Sequence, residues 1–216
     1  MAKLSGPMLP PKSGGAPKQA VILLHGYGAD GSDLIGLGHH WGPLLPDALF
    51  IAPNAPTPCG GNPFGFEWFP IGLDRGHTWA KGAPVAREVI VTFLNDLWGQ
   101  TELRPKDTLL VGFSQGAMMA LHVGLSLDEP VMGVVSFSGA LIPPDGLEAG
   151  LRPKPPVALA HGDLDQVVDP DQSRLAATTL TALGYDVSYH RSAGTAHGIS
   201  PDMLDFATAF MLAQTA

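Results

Sequence analysis

Short apolar runs bounded by turn residues alternate along this chain with longer stretches whose apolar residues recur at helical spacing. No other feature restricts the fold as much. The runs fall at 19–24, 48–52, 108–111, 131–137, 157–160 and 186–190, and most are hydrophobic almost without interruption. Strands of that kind are covered on both faces, as in a parallel sheet. The helix-like stretches fall at 33–45, 84–98, 115–127, 171–183 and 201–212, with Pro84 and Pro201 placed where a first helical turn tolerates proline. Right-handed crossovers between parallel strands force such helices onto both faces of one open sheet. The expected fold is α/β, a mostly parallel central sheet with helices on both faces. Ligands of such sheets bind at the carboxyl ends of the strands, so the chemistry belongs in the loops that follow strands.

The composition permits this and removes other readings. A chain of 216 residues with 45% hydrophobic and 15% charged side chains buries a sizeable core. Its length suits a single domain over 1–216, with an irregular segment at 1–18. A net charge of −8 repels phosphate backbones and anionic lipid surfaces, which argues against nucleic-acid binding. The single cysteine, Cys59, closes no intramolecular disulfide and supports neither a zinc ribbon nor a CxxC redox pair. No window approaches the roughly 18 apolar residues of a membrane span, and the first residues carry no apolar signal core. The expectation is a soluble, cytoplasmic protein without integral membrane association.

One connection, 53–82, is unusually long, with five prolines and six glycines. It also holds Phe64, Phe66, Trp68, Phe69 and Trp79, whereas disordered segments are depleted in aromatics. It reads as a packed loop forming one wall of a ligand pocket.

Gly112-Phe113-Ser114-Gln115-Gly116 lies between an apolar run and an apolar helix, the context of a G-x-S-x-G nucleophile elbow. The serine sits on a tight turn, and glycines two before and two after it relieve crowding there. Ser114 then stands at a helix N-terminus, with the free N–H of Gln115 facing any oxyanion on a bound carbonyl. A serine hydroxyl needs a general base and a carboxylate that orients the base, in the order Ser, Asp or Glu, His on this type of sheet. His161-Gly162-Asp163-Leu164-Asp165 follows one strand, and the loop with His197 follows the next. His190 lies within its strand, His122 inside a helix, and His39 and His40 on different sides of theirs, while His161 braces the acid loop. No metal site is expected. Leu24-His25-Gly26-Tyr27-Gly28 follows the first strong strand, where this architecture carries its second oxyanion donor. Neither a Walker lysine nor a GxGxxG spacing accompanies those glycines.

Together these residues resemble the phospholipase/carboxylesterase family of small α/β-hydrolases, which includes the acyl-protein thioesterases. LHGYGAD at 24–30 looks like the family's oxyanion loop, and PNAP at 53–56 and EWF at 67–69 look like its mid-chain signatures. GFSQGA, HGDLDQVV and the HG of His197 follow in family order. The resemblance implies Asp165 as the catalytic acid, with Asp163 as the alternative, and the backbone N–H groups of Tyr27 and Gln115 as the oxyanion hole. Tyr27 stands where many relatives carry leucine. The resemblance also implies a monomer or homodimer, and no cofactor is expected, because the serine, imidazole and amides supply every element of acyl transfer. No insertion long enough for a separate cap follows 131–137, so the site should be open.

The expected activity is hydrolysis of small-molecule carboxylic esters, with thioesters as a further class, through an acyl-enzyme on Ser114 with His197 and Asp165. Phe66, Trp68 and Phe69 are the expected contacts to the acyl group. The alternatives are a lysophospholipase, lactonase or small-amide hydrolase on the same residues, or a non-catalytic ligand-binding homologue. Cys59 as nucleophile is disfavoured, because no helix start stands beside it to lower its pKa.

Overall fold

The structure, a computed structural model, describes residues 4–72, 75–150 and 152–215. Its centre is a seven-stranded sheet. The strands are β1 (Met8–Leu9), β2 (Gln19–Leu24), β3 (Ala48–Ile51), β6 (Thr108–Phe113), β7 (Gly133–Phe137), β8 (Val157–Gly162) and β9 (Val187–Ser192), in the order β1-β3-β2-β6-β7-β8-β9. All neighbours pair parallel except β1, which runs antiparallel to β3 through Met8 opposite Ile51 and Leu9 opposite Phe50. The chain moves outward from β2 to β3 and then returns to β6 on the other side of β2. The order therefore reverses between β2 and β6, and the loops leaving those two strands diverge around a crevice.

The period of two along each strand sorts its side chains into two cores. Ala20, Ile22 and Leu24 of β2 join Leu110, Val134 and Leu159 on one face. There they pack under α2 (Arg75–Thr101), α3 (Gln115–Gly124) and α4 (Asp171–Ala182), through residues such as Ile90, Met119 and Leu180. Val21 and Leu23 join Val111, Phe137 and Ala160 on the other face, under Trp41 of α1 (Gly31–Trp41) and Met203 and Met211 of α5 (Pro201–Gln214). Each large apolar side chain so buried contributes about 1.5–3 kcal/mol, and the double coverage explains why these strands are apolar without alternation.

Three sequence expectations change. The segment 1–18 is not irregular throughout: β1 lies within it and covers the edge of β3, while residues 1–3 lie outside the described residues. A two-residue strand is too short to leave a periodic signal. The connection 53–82 is also not a plain loop. It contains a two-stranded antiparallel hairpin of β4 (Thr57–Cys59) and β5 (Asn62–Glu67), and it ends inside α2, which begins at Arg75. Residues 73 and 74 lie outside the described residues. Pro84 therefore sits inside α2 and not in its first turn. An interior proline removes one helical hydrogen bond at a cost of about 3 kcal/mol. The helix absorbs this because Ala83, Ala86, Ile90 and Leu94 are buried against the sheet. Pro201 does open its helix, as expected.

Candidate active site

Only Ser114 separates β6 from α3, and the turn is sharp enough to hold it at φ 54°, ψ −117°. This is a strained conformation for a residue with a Cβ, and such strain persists only where neighbours fix it. The Ser114 N–H donates to Phe137 O at 2.9 Å. Both flanking glycines are demanded by close approach: a Cβ on Gly112 would stand 2.2 Å from Gly116 O, and one on Gly116 would stand 1.9 Å from Leu24 O. The side chain of Gln115, buried behind the turn, accepts from Trp68 N–H at 2.9 Å and donates to Phe69 O at 2.7 Å. The elbow and the EWF segment are thus tied together by one amide. The first N–H groups of α3 have no partner within the helix.

From Ser114 a hydrogen-bond path leads to the ends of two further strands. Ser114 Oγ lies 3.0 Å from His197 Nε2, and His197 Nδ1 lies 2.7 Å from Asp165 Oδ2. The carboxylate fixes the proton on Nδ1, which leaves Nε2 as the acceptor toward the serine. The imidazole also packs on Phe113, with ring centroids 4.8 Å apart. Asp165 is wholly buried as a side chain and its acceptor sites are filled. Oδ1 accepts from the N–H groups of Val167 at 2.8 Å and Val168 at 2.9 Å, and Oδ2 also faces His161 Nε2 at 3.1 Å. Burial pushes this carboxyl up, but the bonds from His197, Val168 and Val167 outweigh burial and hold it below the ordinary aspartate range. His161 is itself kept below the usual histidine range, chiefly by desolvation, so a neutral ring braces the acid.

Asp163, the other carboxylate of the same loop, does not face His197. It accepts from Gly194 N–H at 2.7 Å and so fastens the loop that carries the histidine. Leu164 N–H to Thr195 O at 2.9 Å fastens it again. The loops after β8 and β9 are therefore one unit.

The loop after β2 closes the other side. His25 is buried, with Nε2 accepting from Ala55 N–H at 2.9 Å and Nδ1 2.8 Å from Gly26 O, while Trp68 Nε1 donates to His25 O at 2.9 Å. Desolvation keeps this ring below the ordinary histidine range, in keeping with a neutral ring that accepts at Nε2. Gly28 N–H donates to Phe66 O at 2.9 Å, and Phe66 N–H donates to Ala29 O at 2.8 Å, so the hairpin clamps the loop. A Cβ on Gly26 would stand 3.5 Å from Ser114 Cβ, which measures how closely the two loops approach. The Tyr27 hydroxyl is pushed up to about 12, first by its hydrogen bond with Cys59 and then by burial and the Glu67 carboxylate. Cys59 is buried at the end of β4, on the hairpin and not at a helix start.

A cavity of about 240 Å³ opens over Ser114, lined by Tyr27, Gln115 and His197 together with Ile71, Trp79, Met118, Val167 and Val168. The structure thus brings Ser114, His197, Asp165, Tyr27 and Gln115 to one place. It does not bring the three expected acyl contacts there. Trp68 and Phe69 are buried in the core, and Phe66 packs against that core beside the 25–29 loop. Their backbone groups anchor Gln115 and Gly28, so they support the site from behind. The apolar wall comes from Ile71 and Trp79 of the 53–82 connection, which was expected to form a pocket wall, and from Met118, Val167 and Val168, which the sequence reading missed. Val167-Val168, an apolar pair next to an acidic loop, was the available signal; Trp79 lay among aromatics that a sequence cannot sort by direction.

Comparisons with known proteins agree with this fold. Residues 11–214 match the family model described as phospholipase/carboxylesterase. Esterase YpfH of Escherichia coli is 29% identical over 196 residues, which cover 88% of this chain and 80% of that protein. Acyl-protein thioesterase 1 of Saccharomyces cerevisiae is 27% identical over 214 residues, covering 90% of this chain and 92% of that one. Among solved structures, esterase PE8 superposes with a TM-score of 0.93 at 56% identity, covering 97% of this chain and 98% of that chain. The carboxylesterase of Bacillus cereus shares the fold at a TM-score of 0.81 and 17% identity, covering 99% of this chain and 95% of that one.

Proposed function

Because this chain belongs to the phospholipase/carboxylesterase family of α/β-hydrolases, we propose that it hydrolyses small-molecule carboxylic esters through an acyl-enzyme on Ser114. The observation that carries this reading is the unbroken path from Asp165 through His197 to Ser114, at 2.7 and 3.0 Å.

In the first half-reaction Ser114 Oγ bonds to the ester carbonyl carbon while its proton passes to His197 Nε2. The carbonyl oxygen takes up the negative charge between the backbone N–H groups of Tyr27 and Gln115. Donors of this kind have been worth about 2.7–4 kcal/mol where one was removed from another hydrolase. Asp165 stays ionised and stabilises the imidazolium. Nε2–H then protonates the departing alkoxide as its bond to carbon breaks, leaving the acyl group on Ser114. Water attacks that acyl carbon, His197 accepts the water's proton, and the carboxylic acid departs as Ser114 recovers its hydrogen. A thioester would follow the same steps with a thiolate as leaving group, so acyl thioesters are the second substrate class to assay. Every element of acyl transfer is present in these side chains and amides, without an added cofactor.

We read 1–216 as one domain acting as a monomer or homodimer, and the free, buried Cys59 fits a reducing, cytoplasmic setting. No helix of the described residues is long and apolar enough to cross a membrane.

The test compares p-nitrophenyl acetate hydrolysis by the wild-type protein and Ser114→Ala, with folding checked by circular dichroism. Turnover should disappear in the variant to the level of the uncatalysed reaction plus the residual contribution of binding, a loss of about 10⁶-fold in kcat for such a nucleophile. Wild-type turnover in a folded Ser114→Ala protein would sink the mechanism.

A further inference from the structure

Two further cavities share walls with the one over Ser114. The one over Ser114 shares Trp79, Val167 and Val168 with a second, of about 500 Å³, whose other walls include Leu141, Ile142 and Pro143. On the opposite side it shares Asp33, Phe113 and His197 with a third, of about 440 Å³, lined also by Leu34, Leu37 and Ile199. The chemistry distinguishes the two sides. The group that receives the proton from His197 Nε2 must depart along the wall that carries His197, and only the third cavity has that wall besides the central one. The acyl group, retained on Ser114, must extend the other way, where the second cavity continues along Leu141, Ile142 and Pro143, with Asp169 and Gln172 also on its wall.

We propose that Trp79, standing with Val167 and Val168 between the central and second cavities, is the residue that limits acyl-chain length in this protein. The inference rests on the ester-hydrolase reading and adds the substrate's acyl size to it. Short acyl groups fit the central cavity alone, and longer ones require the space that the indole separates from it. The two sides of the partition are held differently. Val167 and Val168 are fixed by their N–H bonds to Asp165 Oδ1, so that side is rigid with the catalytic acid. Trp79 Nε1 is buried and has no hydrogen-bond partner among the described residues, so its ring is kept in place by packing against the core and by nothing polar. Truncating it removes no hydrogen bond and joins the two cavities.

The experiment measures kcat/KM on p-nitrophenyl acetate, butyrate, octanoate and laurate for the wild-type protein, Trp79→Ala and Trp79→Leu. The leucine keeps an apolar side chain against the core should the alanine variant fail to fold. The ratio of laurate to acetate should rise at least tenfold in Trp79→Ala and by an intermediate factor in Trp79→Leu. Ratios equal to wild type in the folded variants would overturn the proposal. A second measurement is independent of turnover: calorimetric binding of laurate and butyrate to Ser114→Ala with and without Trp79→Ala. Laurate should tighten at least tenfold relative to butyrate when the indole is removed, and equal changes for both acids would overturn the partition. A wild-type protein inactive on every ester would sink the hydrolase reading while the calorimetry still decided the role of Trp79.

Discussion

At the scale of single residues, neighbours two positions apart carry different tasks. Asp163 and Asp165 share a loop, yet only Asp165 is turned inward under His197, and Asp163 fastens the histidine's loop by accepting from Gly194. Asp165→Asn should preserve the fold, because an amide oxygen still accepts from Val167 and Val168. It should lower kcat about 10⁴-fold, since the amide stabilises the wrong imidazole tautomer. Steady-state kinetics on an activated ester checks this, and a loss of less than tenfold would return the acid's role to another group. Gln115 divides its work in the same way: its backbone N–H is one donor of the proposed oxyanion site, and its side chain holds Trp68 N–H and Phe69 O. Gln115→Ala leaves both groups buried and unpaired, at about 1–3 kcal/mol each. Urea unfolding should show that loss of stability even though the oxyanion donor survives.

Elements place these residues through a few close approaches. The elbow exists because β6, β2 and the start of α3 come nearer than side chains allow, and the two glycines absorb that proximity. Gly116→Ala should therefore destabilise the protein by about 3 kcal/mol or more, since its methyl group meets the Leu24 carbonyl, which the sheet cannot move. Denaturant titration reads this directly, and a neutral substitution would mean the turn is looser than described. The strand–elbow–helix unit was legible beforehand because hydrophobic period, glycine spacing and chain order all pointed the same way. The hairpin at Thr57–Glu67, the two-residue β1 and the length of α2 were not legible. Their pairing and burial depend on partners distant in sequence, and an interior Pro84 imitates a helix start.

For the molecule as a whole, the same packing that builds the site makes stability depend on acid. His25, His122 and His161 are all buried and held below the ordinary histidine range, chiefly by desolvation. The unfolded chain takes up protons on these rings near pH 6.5 while the folded chain does not, so stability falls as the pH drops through about 6.5. Asp165 adds a second stage. Its folded value lies below the unfolded one, so its contribution is complete above about pH 4 and is lost as the pH falls further. Unfolding free energies measured at pH 7.5, 6, 5 and 4 should decline throughout that range, and a flat profile from 7.5 to 5 would contradict the neutral, buried state of the three rings.

The sequence by itself determined the parallel sheet, the order of Ser114, the Asp163–Asp165 loop and His197 along it, and the position of each at a strand's carboxyl end. These follow from local period, from turn chemistry and from the direction in which parallel strands run. Tertiary structure alone decided which aromatic residues face the cavity over Ser114. Trp68 and Phe69 turned into the core and Trp79 into the cavity wall. An aromatic ring satisfies the same hydrophobic pattern on either side of a loop, and only the packed neighbours fix which side it takes.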